Sequence, residues 1–512
     1  MRQRSLPRAL VFLLAVVAQF AAASPATAQA RATVASMRTQ YNTARTQAKP
    51  TGELQARFDA IEEQIARAAR LGRTGEVRRL YTQGIALAAG RAWTPQLEFA
   101  SSLALRTERM FVDGTGSIRV RLEQIYTPTI ELSAPLLVRA ALHRPGAGAR
   151  ANQPGDKLQD VGTFEGVSRD LIDDPLLFDV DLMAVPDGRV LVRAEAFAGT
   201  ESLGAATLTI EVRRGLDRRL QQLESGARQL KGFEALRADV LYPVDYIRHV
   251  DRGRIPIGQF DYEREVAAAE TVLASLQAGT DPFAGKTGDF RRHYAFTDAG
   301  EVMPYRVYVP TAYKAERTYP LIVLLHGNSL TESQFMDSYN GEVQRLAEAR
   351  GYMVAAPLGY RVDGGYGYNN GSRSAEEDRK LRFSEQDVLN VLEQMKALYR
   401  IDPARTYLAG HSMGGGGTWY IGARHPGIFA ALGSFAGAAT VDTIPPLPRT
   451  PQFIVHGDAD ATVPVERSRT MAAALARLGV EHQYVEVPGG THGNVIAPYL
   501  KGLFDFFDRY RQ

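Results

Sequence analysis

A serine lies at the centre of Gly410–Gly414, which reads Gly-His-Ser-Met-Gly. The run Thr406–Ala409 before it is typical of a short β-strand, and the residues from Met413 to Ile421 are compatible with a helix. A hydroxyl that keeps its proton is a weak nucleophile, so it must stand clear of its neighbours and within reach of a base. A sharp turn from strand to helix presents it in this way, and the two flanking glycines relieve crowding where the chain reverses. We therefore predict that Ser412 is a nucleophile.

An acid and a histidine follow Ser412 in an order that suits proton transfer. Asp460 comes after the strand-like run Gln452–His456, and Asp458 competes with it for the same role. His492 lies on a loop after the next strand-like run. Since the carboxyl ends of parallel strands meet at one edge of a sheet, we expect His492 to accept the serine proton while Asp460 orients the ring. We expect Asp458 to stabilise the turn.

The apolar run Leu321–Leu325 predicts a central parallel strand whose following turn faces the same edge. A tetrahedral intermediate carries a new negative oxygen, which needs fixed N–H donors from the residue after the nucleophile and from such a turn. We predict the backbone N–H groups of Met413 and Asn328 as this oxyanion hole. His326 and His456 stand at strand ends before glycine, and we expect both to be structural.

A glycine-rich segment, Gly359–Asn370, follows another strand-like run and should open on this edge. Its residues Tyr366 and Tyr368 could offer flat faces and hydroxyls to a substrate, although a solvent-exposed flexible loop is an equal alternative. His411 is a further candidate for substrate contact. Asp387 reads as an acid in the first turns of a helix rather than as a catalytic group.

The pattern of apolar residues divides the chain into segments. Residues 31–96 have helical spacing, and residues 97–213 alternate with a period of two, as in Phe178–Leu182, which predicts an immunoglobulin-like β-sandwich. Helical spacing returns over 214–290 and predicts a helical linker. Over 291–512, short apolar runs alternate with helical patterns. This last segment is therefore predicted to be an α/β domain with a doubly wound, mostly parallel sheet.

The first 30 residues have the parts of a secretory signal peptide. Three arginines lie within the first eight residues, an apolar run covers Ala9–Phe20, and small residues lead up to Ala30. An uncleaved anchor is the alternative, but Gln19 interrupts the run and a span needs about 20 apolar residues. We expect a secreted or periplasmic protein with no membrane span after cleavage.

Composition excludes several classes of site. The 512-residue chain has no cysteine, so disulfides, thiolate nucleophiles and cysteine zinc sites are excluded. The leader arginines account for the net charge of +3, so charge gives no argument for nucleic acid as a partner. Gly285–Thr287 resembles the end of a phosphate-binding loop, but position 280 is Thr280 where that loop requires glycine. We predict no metal and no cofactor.

Residues 291–512 resemble α/β-hydrolase esterases of the feruloyl esterase and polyhydroxybutyrate depolymerase type, and also prolyl-oligopeptidase-like catalytic domains. The matching segments lie on the strands and turns described above: Tyr319–Gly327, Ile401–Pro403, Gly410–Gly415, His456–Pro464 and Gly490–His492. The resemblance implies the same roles for Ser412, Asp460 and His492. Asn328 departs from the small or aromatic residue common in relatives, and a cysteine-free chain cannot form the disulfide that several of them use.

The predicted activity is hydrolysis of a carboxylic ester through an acyl-enzyme, of feruloyl or acetyl type, on a small-molecule or polysaccharide-linked substrate. A prolyl-oligopeptidase-like serine peptidase is the alternative, because the same groups could cleave an amide. An envelope or polysaccharide-binding protein with a non-catalytic hydrolase domain is a third hypothesis.

Overall fold

The computed structural model describes residues 34–129, 132, 134–147, 153–168, 170–368, 375–444 and 446–512. The predicted signal peptide, residues 1–30, lies outside this part of the chain. The described residues divide into two compact units. Unit 1 comprises the described residues up to Gln222 together with Pro243–Glu265. Unit 2 comprises Leu223–Tyr242 and Val266–Gln512.

Unit 1 combines helices with two β-sheets. Its helices are α1 (Val34–Ala48), α2 (Gly52–Arg70), α3 (Thr74–Ala88) and α4 (Pro95–Ser102). Its strands are β1 (Leu103–Thr107), β2 (Phe111–Val112), β3 (Ser117–Gln124), β4 (Leu136–Pro145), β5 (Pro154–Val167), β6 (Leu176–Asp181), β7 (Gly188–Ala198) and β8 (Glu201–Val212).

The strands of unit 1 form a three-stranded sheet, β1-β3-β6, and a five-stranded sheet, β2-β8-β7-β4-β5. All neighbours are antiparallel except β2 and β8. Buried Phe178 and Val180 alternate with exposed Asp179 and Asp181, which is the period-two pattern of a half-buried strand. The assignment of these sheets to an immunoglobulin-like sandwich, and the predicted domain boundaries, remain predictions.

Three further helices contribute residues to both units: α5 (Leu216–Gln229), α6 (Arg237–Asp251) and α7 (Tyr262–Gln277). They lie in the segment for which the sequence predicts a helical linker. Among the described residues, no helix combines the length and the apolar character that crossing a bilayer requires.

Unit 2 contains an eight-stranded sheet with the order β16-β15-β14-β13-β11-β12-β10-β9. The strands β11 to β16 pair in parallel with one another, whereas β9 and β10 are antiparallel to their neighbours. The strands are β9 (Gly288–Phe296), β10 (Glu301–Val309), β11 (Tyr319–Leu325), β12 (Met353–Pro357), β13 (Ile401–His411), β14 (Ala431–Phe435), β15 (Gln452–Gly457) and β16 (His482–Val487).

The helices of unit 2 cover both faces of this sheet. They are α8 (Gln334–Asp337), α9 (Glu342–Arg350), α10 (Ala375–Leu398), α11 (Met413–Arg424), α12 (Glu466–Arg477) and α13 (Leu500–Phe507). Along β11, Leu321 and Val323 join a core cluster with α10, α11 and α12, whereas Ile322 and Leu324 join a cluster with α9 and α13. Because successive side chains of a strand point to opposite faces, β11 is buried on both sides. The unit is an α/β domain with a doubly wound, mostly parallel sheet, as predicted.

Candidate active site

Ser412 lies at the turn between β13 and α11. Its backbone has φ +56° and ψ −114°, a conformation that non-glycine residues rarely adopt and that costs free energy. A Cβ built on Gly410 would lie 2.3 Å from the Gly414 carbonyl oxygen, and one on Gly414 would lie 2.1 Å from that of Leu325. The Ser412 N–H donates to the Phe435 carbonyl at 2.8 Å, which holds the turn against β14. Only glycine fits the two flanking positions.

Two hydrogen bonds connect Ser412, His492 and Asp460. The His492 Nε2 atom is 3.0 Å from the Ser412 Oγ atom, and its Nδ1 atom is 2.7 Å from the Asp460 Oδ2 atom. An ionised carboxylate can only accept, so the ring carries its hydrogen on Nδ1 and leaves Nε2 free to accept the serine proton. The structure thus brings together the three side chains that the sequence singles out.

Asp460 is held by the backbone of its own loop. Its Oδ1 atom accepts the N–H groups of Thr462 at 2.8 Å and Val463 at 2.9 Å. Burial acts to raise the pKa of Asp460, but these N–H groups and the His492 ring outweigh burial and lower it. The carboxylate is therefore kept ionised and fixed in orientation.

Asp458 has a different environment, in which its Oδ1 atom accepts the N–H of Gly489 at 2.7 Å. It therefore joins the turn after β15 to the turn after β16. This is the turn-stabilising placement that the sequence favours for it.

His456 is a second, fully buried neighbour of Asp460 that sequence reasoning treats as structural only. Its Nε2 atom is 3.0 Å from the Val463 carbonyl oxygen and 3.2 Å from the Asp460 carboxylate, and its Nδ1 atom is 2.7 Å from the Ser468 hydroxyl. Burial lowers its pKa. His456 therefore supports the acid without contacting His492 by hydrogen bond.

The two predicted oxyanion donors lie on adjacent strand ends. Met413 is the first residue of α11, so its N–H has no acceptor one turn back in the helix. Asn328 is exposed and follows β11, whose Leu325 lies opposite Gly410 of β13 in the sheet register. Among the described residues, the Asn328 N–H has no protein acceptor. Their role in an oxyanion hole remains a prediction.

Tyr366 and Tyr368 are not on an open loop. Tyr366 is 0% exposed, and a Cβ built on Gly417 would lie 2.4 Å from its Cβ atom. Tyr368 is buried against Gly416 in the same way. The expectation that Tyr366 offers a face to substrate is wrong, because its ring is packed in the core beneath α11. Residues 369 and 370 of the predicted loop lie outside the described residues.

His411 is also buried, and both of its ring nitrogens face protein atoms. Its Nε2 atom is 2.9 Å from the His492 carbonyl oxygen, and its Nδ1 atom is 3.3 Å from the Gln334 side-chain nitrogen. This ring has no nitrogen left for a substrate. The expectation that His411 contacts substrate is therefore corrected to an internal role.

Asp387 lies in the middle of α10, not in its first turns as the sequence predicts. It is fully buried and accepts the N–H groups of Gly359 at 2.6 Å and Tyr360 at 3.0 Å, together with the Tyr294 hydroxyl. Burial raises its pKa to about 6. The carboxyl anchors the turn after β12 rather than reacting.

Among the described residues, no group of three or more histidine, aspartate and glutamate side chains lies close enough to hold a metal ion.

Comparison with known proteins finds a family model over the region that contains the site. Residues 297–492 match the family model Esterase, described as "Putative esterase". The chain is 29% identical over 141 residues to the bifunctional acetylxylan esterase/xylanase XynS20E of Neocallimastix patriciarum, which covers 28% of this chain and 19% of that protein. It is 27% identical over 217 residues to the uncharacterized peptidase YuxL of Bacillus subtilis, which covers 36% of this chain and 32% of that protein.

Among solved structures, the ferulic acid esterase AmCE1/Fae1A of Anaeromyces mucronatus is similar to 43% of this chain over 90% of its own length, with 21% identity and a TM-score of 0.36. The chain spans less than a third of the length of XynS20E and about a third of that of YuxL.

Proposed function

We propose that this protein is a serine hydrolase that cleaves carboxylic esters through an acyl-enzyme intermediate. The observation that carries the proposal is the continuous pair of hydrogen bonds from the Ser412 hydroxyl through the His492 ring to the Asp460 carboxylate. The esterase family model matches the residues that include all three side chains.

In the proposed first step, the Ser412 Oγ atom forms a bond to the ester carbonyl carbon while its proton moves to the His492 Nε2 atom. The carbonyl π electrons move onto oxygen, and the N–H groups of Met413 and Asn328 stabilise that negative charge. Asp460 stabilises the imidazolium that forms. Collapse of the intermediate breaks the bond to the alcohol oxygen, which takes the proton from His492 and leaves the acyl group on Ser412.

Water completes the cycle by the same route. His492 takes a proton from water as its oxygen attacks the acyl carbon, and the second intermediate releases the carboxylic acid while Ser412 regains its proton. The constellation needs no group beyond these side chains and two backbone N–H groups.

For the substrate, we propose esters of feruloyl or acetyl type. A relative named as an acetylxylan esterase and a structural neighbour named as a ferulic acid esterase support this class. The leader-like sequence of residues 1–30 supports export from the cytoplasm. An exported protein would meet ester-linked polysaccharide outside the cytoplasm.

A serine peptidase is the second candidate, because one relative is named as an uncharacterized peptidase. Esters have the better leaving group, so we favour the esterase. Steady-state assays on p-nitrophenyl acetate, a hydroxycinnamoyl ester and a proline-containing peptide separate the two. Turnover of the peptide with inert esters would reverse the order.

The experiment that tests the function is Ser412→Ala, which removes the attacking oxygen. We expect kcat on p-nitrophenyl acetate to fall by about 10⁶-fold. Ser275→Ala is the matched control, at a half-buried serine of α7 whose hydroxyl donates to the Thr271 carbonyl at 3.1 Å, and it should keep full activity. Unchanged hydrolysis by Ser412→Ala would remove Ser412 from the mechanism.

A further inference from the structure

Gln334, at the start of α8, makes three hydrogen bonds to residues near the proposed site. Its Oε1 atom accepts the Gly327 N–H at 2.7 Å. Its Nε2 atom donates to the Tyr339 hydroxyl at 2.9 Å and to the His411 Nδ1 atom at 3.3 Å. The half-buried side-chain amide of Gln334 therefore accepts a hydrogen bond from the turn after β11 and donates one hydrogen bond each to Tyr339 and His411.

His411 continues this chain to the proposed base. Its Nε2 atom lies 2.9 Å from the carbonyl oxygen of His492, and the two rings have centroids 4.7 Å apart. Space around the ring is tight, because a Cβ built on Gly327 would lie 3.0 Å from its Nδ1 atom.

The hydrogen-bond directions in this chain are mutually consistent. A carbonyl oxygen can only accept, so the His411 Nε2 atom carries the hydrogen and donates to His492. The Nδ1 atom then has a lone pair, which matches the donor that Gln334 turns toward it. Burial lowers the pKa of His411 to about 4, so the ring stays neutral in the one tautomer that satisfies both contacts.

This series of hydrogen bonds joins three separate segments: the turn that carries Asn328, the turn that carries Ser412, and the loop that carries His492. We propose that Gln334 and His411 are positioning residues that hold the loop of His492 and the turn of Asn328 at a fixed separation from Ser412. The inference rests on the proposed function of those three residues. Gln334 and His411 act through other groups and take no part in bond making.

A positioning role differs from a stabilising one in what it changes. A base or an N–H donor displaced by about 1 Å can cost about 10²-fold in rate, while the binding of a small ester depends little on it. A purely structural residue would instead change the stability of unit 2 and leave the kcat of the folded protein unaltered.

The test compares Gln334→Met with Gln344→Met. Both substitutions keep the side-chain length at a half-buried position, and both remove hydrogen bonds. Gln344, on α9, donates to Asp289 at 3.0 Å and to the Met336 carbonyl at 2.6 Å. Neither bond belongs to the series of hydrogen bonds through Gln334 and His411. With p-nitrophenyl acetate, we expect Gln334→Met to lower kcat about 10- to 100-fold with KM within about threefold. We expect Gln344→Met to keep kcat within about twofold of the unsubstituted protein on the same reasoning.

A second pair of variants tests His411. The amide nitrogen of His411→Gln can reach the position of Nε2 and donate to His492, whereas His411→Phe keeps a ring without any donor. We expect the glutamine variant to retain at least about tenfold more kcat than the phenylalanine variant. Equal kcat for the two would overturn the role of His411. If the phenylalanine variant does not fold, Gln334→Met decides the proposal alone.

Ser412→Ala, measured in parallel, separates the two proposals. If Ser412→Ala abolishes turnover and Gln334→Met keeps the kcat of the unsubstituted protein, the positioning role is wrong and the proposed function stands. If Gln344→Met loses as much kcat as Gln334→Met, the positioning role is again wrong. If Ser412→Ala retains full turnover, both proposals fall.

Discussion

Asp458 and Asp460 stand two residues apart after β15, yet they contact different groups. Asp460 contacts the Nδ1 atom of His492, whereas Asp458 accepts the N–H of Gly489. The two side chains are chemically identical, so the difference in role comes from the turn that directs one toward the histidine and the other away from it.

This contrast gives a matched pair of substitutions. Asp460→Asn keeps the shape of the side chain but offers the His492 ring an amide, which no longer enforces the tautomer that can accept the serine proton. We expect kcat on p-nitrophenyl acetate to fall by about 10⁴-fold. Asp458→Asn keeps an acceptor for Gly489 and should leave kcat close to that of the unsubstituted protein. Equal losses for the two variants would contradict the placement of the acid.

The residues that meet at the site were recognisable in the sequence to the extent that they follow strands. Ser412, Asp460 and His492 each come after an apolar run, so their chain order and position at strand ends were sufficient to select them. Gln334 had no such signal, because its partners Gly327 and His411 lie 7 and 77 positions away. Contacts of that kind depend on how loops pack, which hydrophobic periodicity does not report.

At the scale of elements, α11 packs closely against the segment around Tyr366. The glycines that follow Ser412 leave one side of the helix without side chains. Tyr366 and Tyr368 fill that space. The sequence predicts the strand and the helix on either side of Ser412, but the glycine-rich segment 359–370 reads equally well as an open loop. Its burial could not be predicted because it depends on this helix face.

A substitution in α11 tests this packing. An alanine at Gly417 would place its Cβ atom 2.4 Å from that of Tyr366, whereas one at Gly75 in α3 has its nearest neighbour at 3.9 Å. We expect Gly417→Ala to lower the free energy of unfolding of unit 2 by about 1–3 kcal/mol. Gly75→Ala should leave stability unchanged or raise it by up to about 1 kcal/mol. Similar effects of the two alanines would show that the helix face is not close-packed.

Tryptophan fluorescence can report on each unit separately. The chain has two tryptophans, of which Trp419 is fully buried in unit 2 and Trp93 belongs to unit 1. In a Trp93→Phe background, fluorescence of Trp419 during urea unfolding follows unit 2 alone. A Trp419→Phe background serves for Gly75→Ala in the same way.

At the scale of the whole molecule, titration of buried groups in unit 2 sets its response to acid. Burial lowers the pKa of His326, His411 and His456, that of His411 from 6.5 to about 4. A histidine with a lowered pKa in the folded chain takes up its proton first in the unfolded chain, so acid between the two pKa values favours unfolding. Asp387 acts in the opposite direction, because burial raises its pKa to about 6.

We therefore expect the histidine contribution to the free energy of unfolding of unit 2 to reach its highest value above about pH 6.5. This contribution should fall as the pH drops toward about 4. His411 alone should contribute a decrease of about 2 kcal/mol between about pH 7 and about pH 5. His411→Gln has no titrating ring, so its pH dependence should be smaller by that amount. Urea unfolding of the two proteins at both pH values measures the difference, and parallel pH dependence would refute the contribution of His411.

The central claim is that Ser412 is an activated nucleophile, and covalent labelling tests it most directly. The intact protein is treated with a fluorophosphonate, digested with trypsin and mapped by mass spectrometry. Cleavage after Arg405 and Arg424 yields a peptide, Thr406–Arg424, in which Ser412 is the only serine. We expect one phosphonate on this peptide, no label in Ser412→Ala, slow labelling in Asp460→Asn and normal labelling in Asp458→Asn. Label on a different serine, or no label on the folded protein, would contradict the account.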